Sequence, residues 1–213
     1  MLGKITGMEA ASELPPKVLL IYEAVEKLIE EGEDIESVQV SAITQCAGIG
    51  KGTAYDYFET KDELLACALL YQIRLLTEEL DSIFSEEESF AEQIRLCMEK
   101  MQEQGAKQKC FIRYVHIMTA NSNYCQLIRE KMNQKEYESY LPMRVFREAI
   151  IQGRERGELK KSIPLECAIY ALFSKLLIFL ISLNPCSGEK VDAETLCSYL
   201  YQSLLDELCE KNV

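Results

Sequence analysis

The chain has 213 residues, ten glycines, five prolines, no tryptophan and many aliphatic side chains, a balance that favours a mostly helical protein with ample core for one large domain or two smaller ones. Its 35 acidic residues against 23 lysines and arginines leave a net charge of −12, which excludes a broadly basic nucleic-acid footprint and confines any phosphate contact to a local patch. Nine cysteines without a C-x-x-C pair fit reduced thiols in the cytoplasm better than a disulfide framework or a zinc site, and Met1 to Pro16 lacks the basic start and apolar core of a secretion signal.

Pro15-Pro16 introduces the first predicted helix, Lys17 to Glu31. Its apolar residues Val18, Ile21, Tyr22, Val25, Leu28 and Ile29 recur at helical spacing up to a stop at Gly32. An acidic link, Glu33 to Gln39, leads into VSAITQCAGIGKGTAYDYFETKDELL, Val40 to Leu65. This stretch predicts a short helix, a tight turn at Gly48, a second short helix over Lys51 to Tyr57, and the start of a long third one. Val40, Ile43 and Ala47 share one helical face, and Ile49, Ala54 and Phe58 are the apolar partners that close over it. Gly48 stands where a helix-turn-helix needs a residue tolerant of positive φ. Thr60-Lys61-Asp62-Glu63 is a capping box for the next helix, its hydroxyl and carboxylate serving the first free N–H groups. A phosphate-cradling loop over Gly48 to Thr53, preceded by a strand at Val38 to Ile43, is the rival reading, that of a phosphotransferase. Its first glycine would fall at Gln45, and the one long apolar run, Ala168 to Leu183, ends in Asn184-Pro185 rather than in the acid such a fold requires.

The same residues resemble the helix-turn-helix signature of TetR-type (tetracycline-repressor-like) transcriptional regulators. The resemblance is carried without a gap by Ile43, Ala47-Gly48-Ile49, Lys51-Gly52-Thr53, Tyr55, Phe58, Lys61 and Leu64. It implies an all-α protein, with an N-terminal three-helix helix-turn-helix DNA-binding domain over 1–60 and a helical effector-binding and dimerisation domain over 61–213. It sets Lys51, Gly52, Tyr55 and Asp56 against base edges of a double-stranded DNA operator, and Thr53, Tyr57 and Lys61 against phosphates. Two departures from the family pattern matter. Gly50 replaces the usual Ser or Thr, which costs the second helix a side-chain cap worth a few tenths of a kcal/mol against glycine. Asp56 brings a negative charge close to the DNA. Residues 1–61 carry five lysines and no arginine against eleven acids, a net −6, whereas Ser41 to Lys61 balances Lys51 and Lys61 against Asp56 and Glu59. Affinity then rests on few phosphate contacts, with dimerisation and base contacts supplying the rest.

The body continues in helices. One runs from Lys61 to about Ser82, and a capping box at Ser85-Glu86-Glu87-Glu88 opens another that stops at Gly105. Further helices are predicted over Gln108 to Ala120 and Asn123 to Tyr140, then over Met143 to Glu155 after a break at Pro142. Pro164 to Leu183 is apolar nearly all the way round, interrupted chiefly by Glu166, Ser174 and Lys175, which predicts burial on all faces. A membrane span is disfavoured by the central Lys175, at roughly 2.5–3.5 kcal/mol on insertion scales. Ala193 to Lys211, with Asp192 as its N-cap, places Leu196, Leu200, Leu204 and Leu208 on one stripe. By the resemblance these last two helices, about 164–183 and 193–211, pair with their copies as a four-helix homodimer bundle, with Phe179 and Leu200 as candidate contacts; otherwise they complete a monomer core.

Catalysis finds little support. His116 is the only histidine, and no serine elbow, H-E-x-x-H or complete dinucleotide loop accompanies it, so neither enzyme, cofactor nor metal is expected. Tyr71, Phe84, Met98, Met101, Cys110, Tyr114, Met118, Phe146 and Phe173 have the character of a core. The resemblance adds an inducer pocket in these helices, with Tyr71, Met98, Met101, Tyr114, Met118 and Phe146 as candidate lining for a small, largely apolar effector. The expected function is a ligand-responsive repressor released from a palindromic operator. The alternative is a dimeric helical scaffold that binds a ligand or protein without DNA.

Overall fold

The computed structural model describes residues 5–85, 89–104, 115–183 and 192–210. Among them run α1 (Pro16–Glu30), α2 (Val40–Cys46), α3 (Lys51–Tyr55), α4 (Lys61–Phe84) and α5 (Phe90–Gln104). There follow α6 (115–119), α7 (Asn123–Met132), a 3-10 turn (Lys135–Tyr140), α8 (Pro142–Glu155), α9 (Leu165–Ser182) and α10 (Ala193–Leu208). The described residues contain no strand beyond an isolated antiparallel bridge between Leu159 and Cys209, so the all-α class holds. The strand that a phosphate loop would need at Val38 to Ile43 is instead largely the helix α2, which removes that reading.

The chain divides into two compact units, Met1–Leu75 with Arg113–Tyr140, and Leu76–Ile112 with Leu141–Val213. The expected break at 60/61 falls inside the first unit, because the first part of α4 belongs to the core of the helix-turn-helix, or head, within that unit. Val18, Ile21, Tyr22 and Val25 of α1, Ile43 of α2, Ala54, Phe58, and Leu64, Leu65 and Leu69 of α4 are all at most 2% exposed. The Tyr22 ring lies 5.2 Å from that of Tyr71 and 6.3 Å from that of Phe58. Ahead of α1, a segment invisible to periodicity is docked on α4, burying Ile5, Met8 and Leu14. Its turn is held by the Glu9 carboxylate, which accepts from the N–H groups of Thr6 (2.7 Å) and Gly7 (2.9 Å). Gly7, at φ +88°, is so close to the backbone of Cys67 that a Cβ there would collide with its carbonyl oxygen. The Arg74 guanidinium donates to the Glu9 carbonyl and sits 5.7 Å from the centre of the Tyr140 ring.

The second unit has its own core, built from Phe84, Phe90, Met98, Val145, Phe146, Leu172, Phe179 and Leu204 among others. The Phe146 ring meets Phe84 edge-on at 6.0 Å and Phe173 at 6.4 Å. α9 does not bury all its faces within this unit. Ala168, Ile169, Leu172, Leu176, Phe179 and Leu180 are covered, whereas Cys167, Tyr170, Ser174, Ile178 and Ile181 form an exposed stripe at helical spacing. Phe179 and Leu200, the expected dimer contacts, are buried in their own subunit, because they continue the stripes that face the core. Among the described residues α9 is the one helix long and apolar enough to cross a membrane by length and composition. Its Lys175 is paired at 2.8 Å with Glu207 of α10.

Several element ends differ from expectation for local reasons. α5 is capped by Ser89 rather than Ser85: the Glu92 N–H donates to Ser89 Oγ at 3.3 Å, while Ser85 closes α4 by donating its N–H to the Asp81 carbonyl. Both serines satisfy the Ser-x-x-Glu pattern, and Glu86, Glu87 and Glu88 lie outside the described residues. Pro142 begins α8 at a position where its missing N–H costs nothing. α7 ends at Met132 and gives way to the 3-10 turn, so the helix predicted through Tyr140 is two elements. Of the helix predicted over Gln108 to Ala120, residues 115–119 are described as helical and 105–114 lie outside the description. Asp192 caps α10 as expected, accepting from the Thr195 N–H at 2.8 Å. The far end of α10 is held by Lys160, whose ammonium donates to the carbonyls of Asp206 (2.7 Å) and Glu207 (2.8 Å).

Candidate nucleic-acid interface

The head presents a helix, a turn and a second helix, each set by local sequence. α2 buries Val40, Ile43 and Thr44 and ends at Cys46, with Ala47 as its C-cap. Gly48 then takes φ +67°, donating its N–H to the Gln45 carbonyl at 3.1 Å, and the Ile49 N–H reaches the Thr44 carbonyl at 2.9 Å. That reversal is the left-handed step for which glycine has no Cβ penalty. Gly50 is the N-cap of α3 and makes no side-chain cap, as its replacement of Ser or Thr implied. α3 is fixed to the head by Ala54, which is buried, and by Phe58 just beyond it.

The outward side of α3 carries the expected base-reading set. Lys51, Gly52 and Asp56 are exposed, and Tyr55 is 49% exposed, so its ring does not complete the core against α1. Thr53 and Tyr57 are half-buried, the Tyr57 ring 6.5 Å from Phe58. Asp56 and Tyr57 fall in the turn after α3 rather than in the helix, which ends at Tyr55. Lys61, at the first position of α4, is half-buried and donates its ammonium to the Glu36 carbonyl at 2.5 Å. That contact ties the link after α1 to the start of α4 and leaves further ammonium hydrogens for an anion. Thr60 Oγ accepts from the Glu63 N–H at 3.0 Å, and the Glu63 carboxylate accepts from the Glu59 N–H at 2.7 Å. The box therefore closes one residue earlier in the chain than the simple pattern, but it still anchors α4 directly after α3.

The six expected effector residues are distributed unevenly. Met98, Met101 and Phe146 are buried together in the core cluster of the second unit. Tyr71 is buried in the first unit beside Tyr22, Met118 stands 48% exposed in the same unit, and Tyr114 lies outside the described residues. Burial in the second unit also pushes the Cys97 thiol up to about 12, the state of an inert core thiol. Among the described residues no group of three or more His, Cys, Asp or Glu side chains is placed to hold a metal ion.

This geometry matches known proteins first at the head. The family described as "Bacterial regulatory proteins, tetR family" matches residues 21–68, from α1 into α4. Residues 21–68 belong to the tetR family. An HTH-type transcriptional regulator of Staphylococcus aureus (strain MRSA252), SAR0097, is 33% identical to the chain over 67 residues, 32% of this chain and 35% of that relative. The match to this curated relative thus spans about a third of its length. The fold of the chain beyond these residues is shared more widely. FadR from Bacillus subtilis, solved in complex with stearoyl-CoA, superposes with a TM-score of 0.68 at 20% identity, over 88% of this chain and 97% of that one. AibR, solved in complex with isovaleryl coenzyme A and operator DNA, gives a TM-score of 0.61 at 18% identity over 90% and 99% of the two chains.

Proposed function

We propose that this tetR-type chain is a homodimeric, cytoplasmic transcriptional regulator, a repressor released from a palindromic operator by a small ligand with a largely apolar body. The observation that carries the proposal is the exposed face of α3, where Lys51, Gly52, Tyr55 and Asp56 stand clear of the core behind the Gly48 turn. Two such helices in a dimer reach successive major grooves when spaced by roughly 34 Å or a multiple of it. In this reading Lys51 reads guanine and Asp56 accepts from a cytosine amine, with Thr53, Tyr57 and Lys61 contacting phosphates. The exposed stripe of α9 and Tyr199 of α10 supply the dimer surface. Met98, Met101 and Phe146 carry the effector proposal for the second unit, with Tyr71, Tyr114 and Met118 as its extensions. Because FadR and AibR were solved with acyl-coenzyme A molecules, long- and short-chain acyl thioesters are the first effectors to try. No catalytic step is proposed.

A gel shift against the DNA flanking the gene tests the reading. Lys51→Ala should relax preference at particular bases, while Lys61→Ala should weaken all sequences and flatten the salt slope by about one unit per half-site. No retarded complex at low salt would favour the second reading, a DNA-free dimeric scaffold, which the −6 charge of residues 1–61 supports.

A further inference from the structure

Outside the α3 surface, the first unit contains an open cleft of about 340 Å³ between the end of α1, the link that follows it, and α6. Its floor is apolar: Leu69, Ile117 and Tyr124 are buried there, with Ile29 and Ile35 half-buried beside them. Its rim is acidic, formed by the exposed Glu33, Asp34 and Glu36 with His116, and no lysine or arginine lines it. A second hollow of about 280 Å³ shares Glu36 and Tyr124 and extends the acidic rim with Asp62. Asp34 uses one carboxylate oxygen on the Glu36 N–H at 3.1 Å. Among the described residues, the Glu33 and Glu36 carboxylates and the His116 ring take part in no ion pair or hydrogen bond.

We propose that this cleft binds an aliphatic primary ammonium ion, the charged head at the carboxylate rim and the alkyl chain along the apolar floor. Charge complementarity selects the occupant. An anion would meet three carboxylates with no cation among the lining residues, the Lys61 ammonium beside them being held on the Glu36 carbonyl, and a neutral alkane would leave the rim unused. The volume lies at the lower end of the ~300–1,000 Å³ typical of small-molecule sites, which suits a short amine rather than an acyl-coenzyme A. All of the lining belongs to the first unit, so the site is separate from the Met98–Met101–Phe146 core. It stands whether or not the head reads DNA.

Calorimetric titration of the full chain at low salt with hexylammonium chloride tests it, with methylammonium chloride and hexan-1-ol as comparators. Hexylammonium should bind saturably and more tightly than either comparator, because only it satisfies both floor and rim. Binding should weaken as salt is added, since the rim is exposed. The double variant Glu33→Gln, Glu36→Gln should weaken it about fivefold, the loss expected for two exposed charge contacts. Equal binding of hexylammonium and hexanol, absence of saturation, or unchanged affinity in a double variant with native circular dichroism would overturn the proposal. Should the variant fail to fold, the ranking of the three probes on the unaltered chain decides.

Discussion

Replacing Tyr170 by alanine separates the surface proposed for dimerisation from the core of each subunit. Tyr170 is 63% exposed and Tyr199 is 68% exposed, whereas Phe179, nine residues further along α9, is fully buried. A tyrosine covers roughly 200 Å² when fully enclosed, so a dimer that hides the exposed part of Tyr170 removes about 125 Å² more per subunit. At ~25 cal/mol per Å² that is about 3 kcal/mol for each copy, or about 6 kcal/mol for a two-fold dimer. Ordering and imperfect desolvation commonly consume a large share of such a gain. A net loss near 3 kcal/mol remains, equivalent to about a hundredfold in the dimer dissociation constant. Tyr170→Ala and Tyr199→Ala should each produce it without lowering the melting temperature of the monomer, and sedimentation across a concentration series reads it directly. Leu20→Ala, which trims an exposed apolar side chain of α1, is the control and should leave the constant unchanged. Dimers of undiminished affinity in both tyrosine variants would refute the assignment of the stripe, and a wild-type chain that sediments as a monomer at micromolar concentration would refute the dimer itself.

Three further outcomes follow from the head and the second unit. Gly48→Val should strain the turn by about 1–2 kcal/mol, because φ +67° crowds any Cβ, and should lower the thermal midpoint together with operator binding. Thr60→Ala removes the oxygen that accepts from the Glu63 N–H and should cost about 1 kcal/mol in chemical denaturation, with Thr60→Ser restoring most of it. Burial alone would raise the Glu158 carboxyl, but its bonds to the Arg156 guanidinium and the Phe90 N–H outweigh that and hold it below the usual range. A depressed carboxylate contributes stability above its unfolded value of about 4.3 and loses it as pH falls through the folded one. The melting-temperature gap between wild type and Glu158→Gln should therefore be open at neutral pH and close in acid; a gap that widened in acid would contradict the assignment.

The head was legible because its instructions are local. The turn glycine, the missing cap at Gly50, the Thr60 hydroxyl on the Glu63 N–H and the apolar spacing of α1 each act within a few residues and appear in the structure, the return bond of Glu63 alone shifting by one residue to the Glu59 N–H. The docked segment before α1 was not legible, since Gly7 and Glu9 acquire meaning only against Cys67 and Arg74, some sixty residues away. The capping of α5 was misread for a different reason: two Ser-x-x-Glu patterns follow one another there, and beside Ser89 the Phe90 N–H is taken by Glu158, from outside the element.

α9 shows where pattern stops carrying information. When apolar residues occupy every face, periodicity cannot tell Phe179 from Ile178, and the facing is decided by the neighbours α8 and α10. Those neighbours cover the stripe Leu172, Leu176 and Phe179 and leave Tyr170, Ser174, Ile178 and Ile181 exposed. The hydropathy of the uncovered stripe then becomes an argument in its own right. A helix that served only its own subunit would gain nothing from isoleucine at 178 and 181, and a contiguous exposed apolar face marks an interaction surface rather than a solvated one. The same reasoning limits the effector set. Met98, Met101 and Phe146 share a core because their helices pack in one unit, whereas Tyr71 and Met118, chosen for the same chemistry, belong to the other. Residue type identifies what can line a pocket, and only packing decides which of those residues meet.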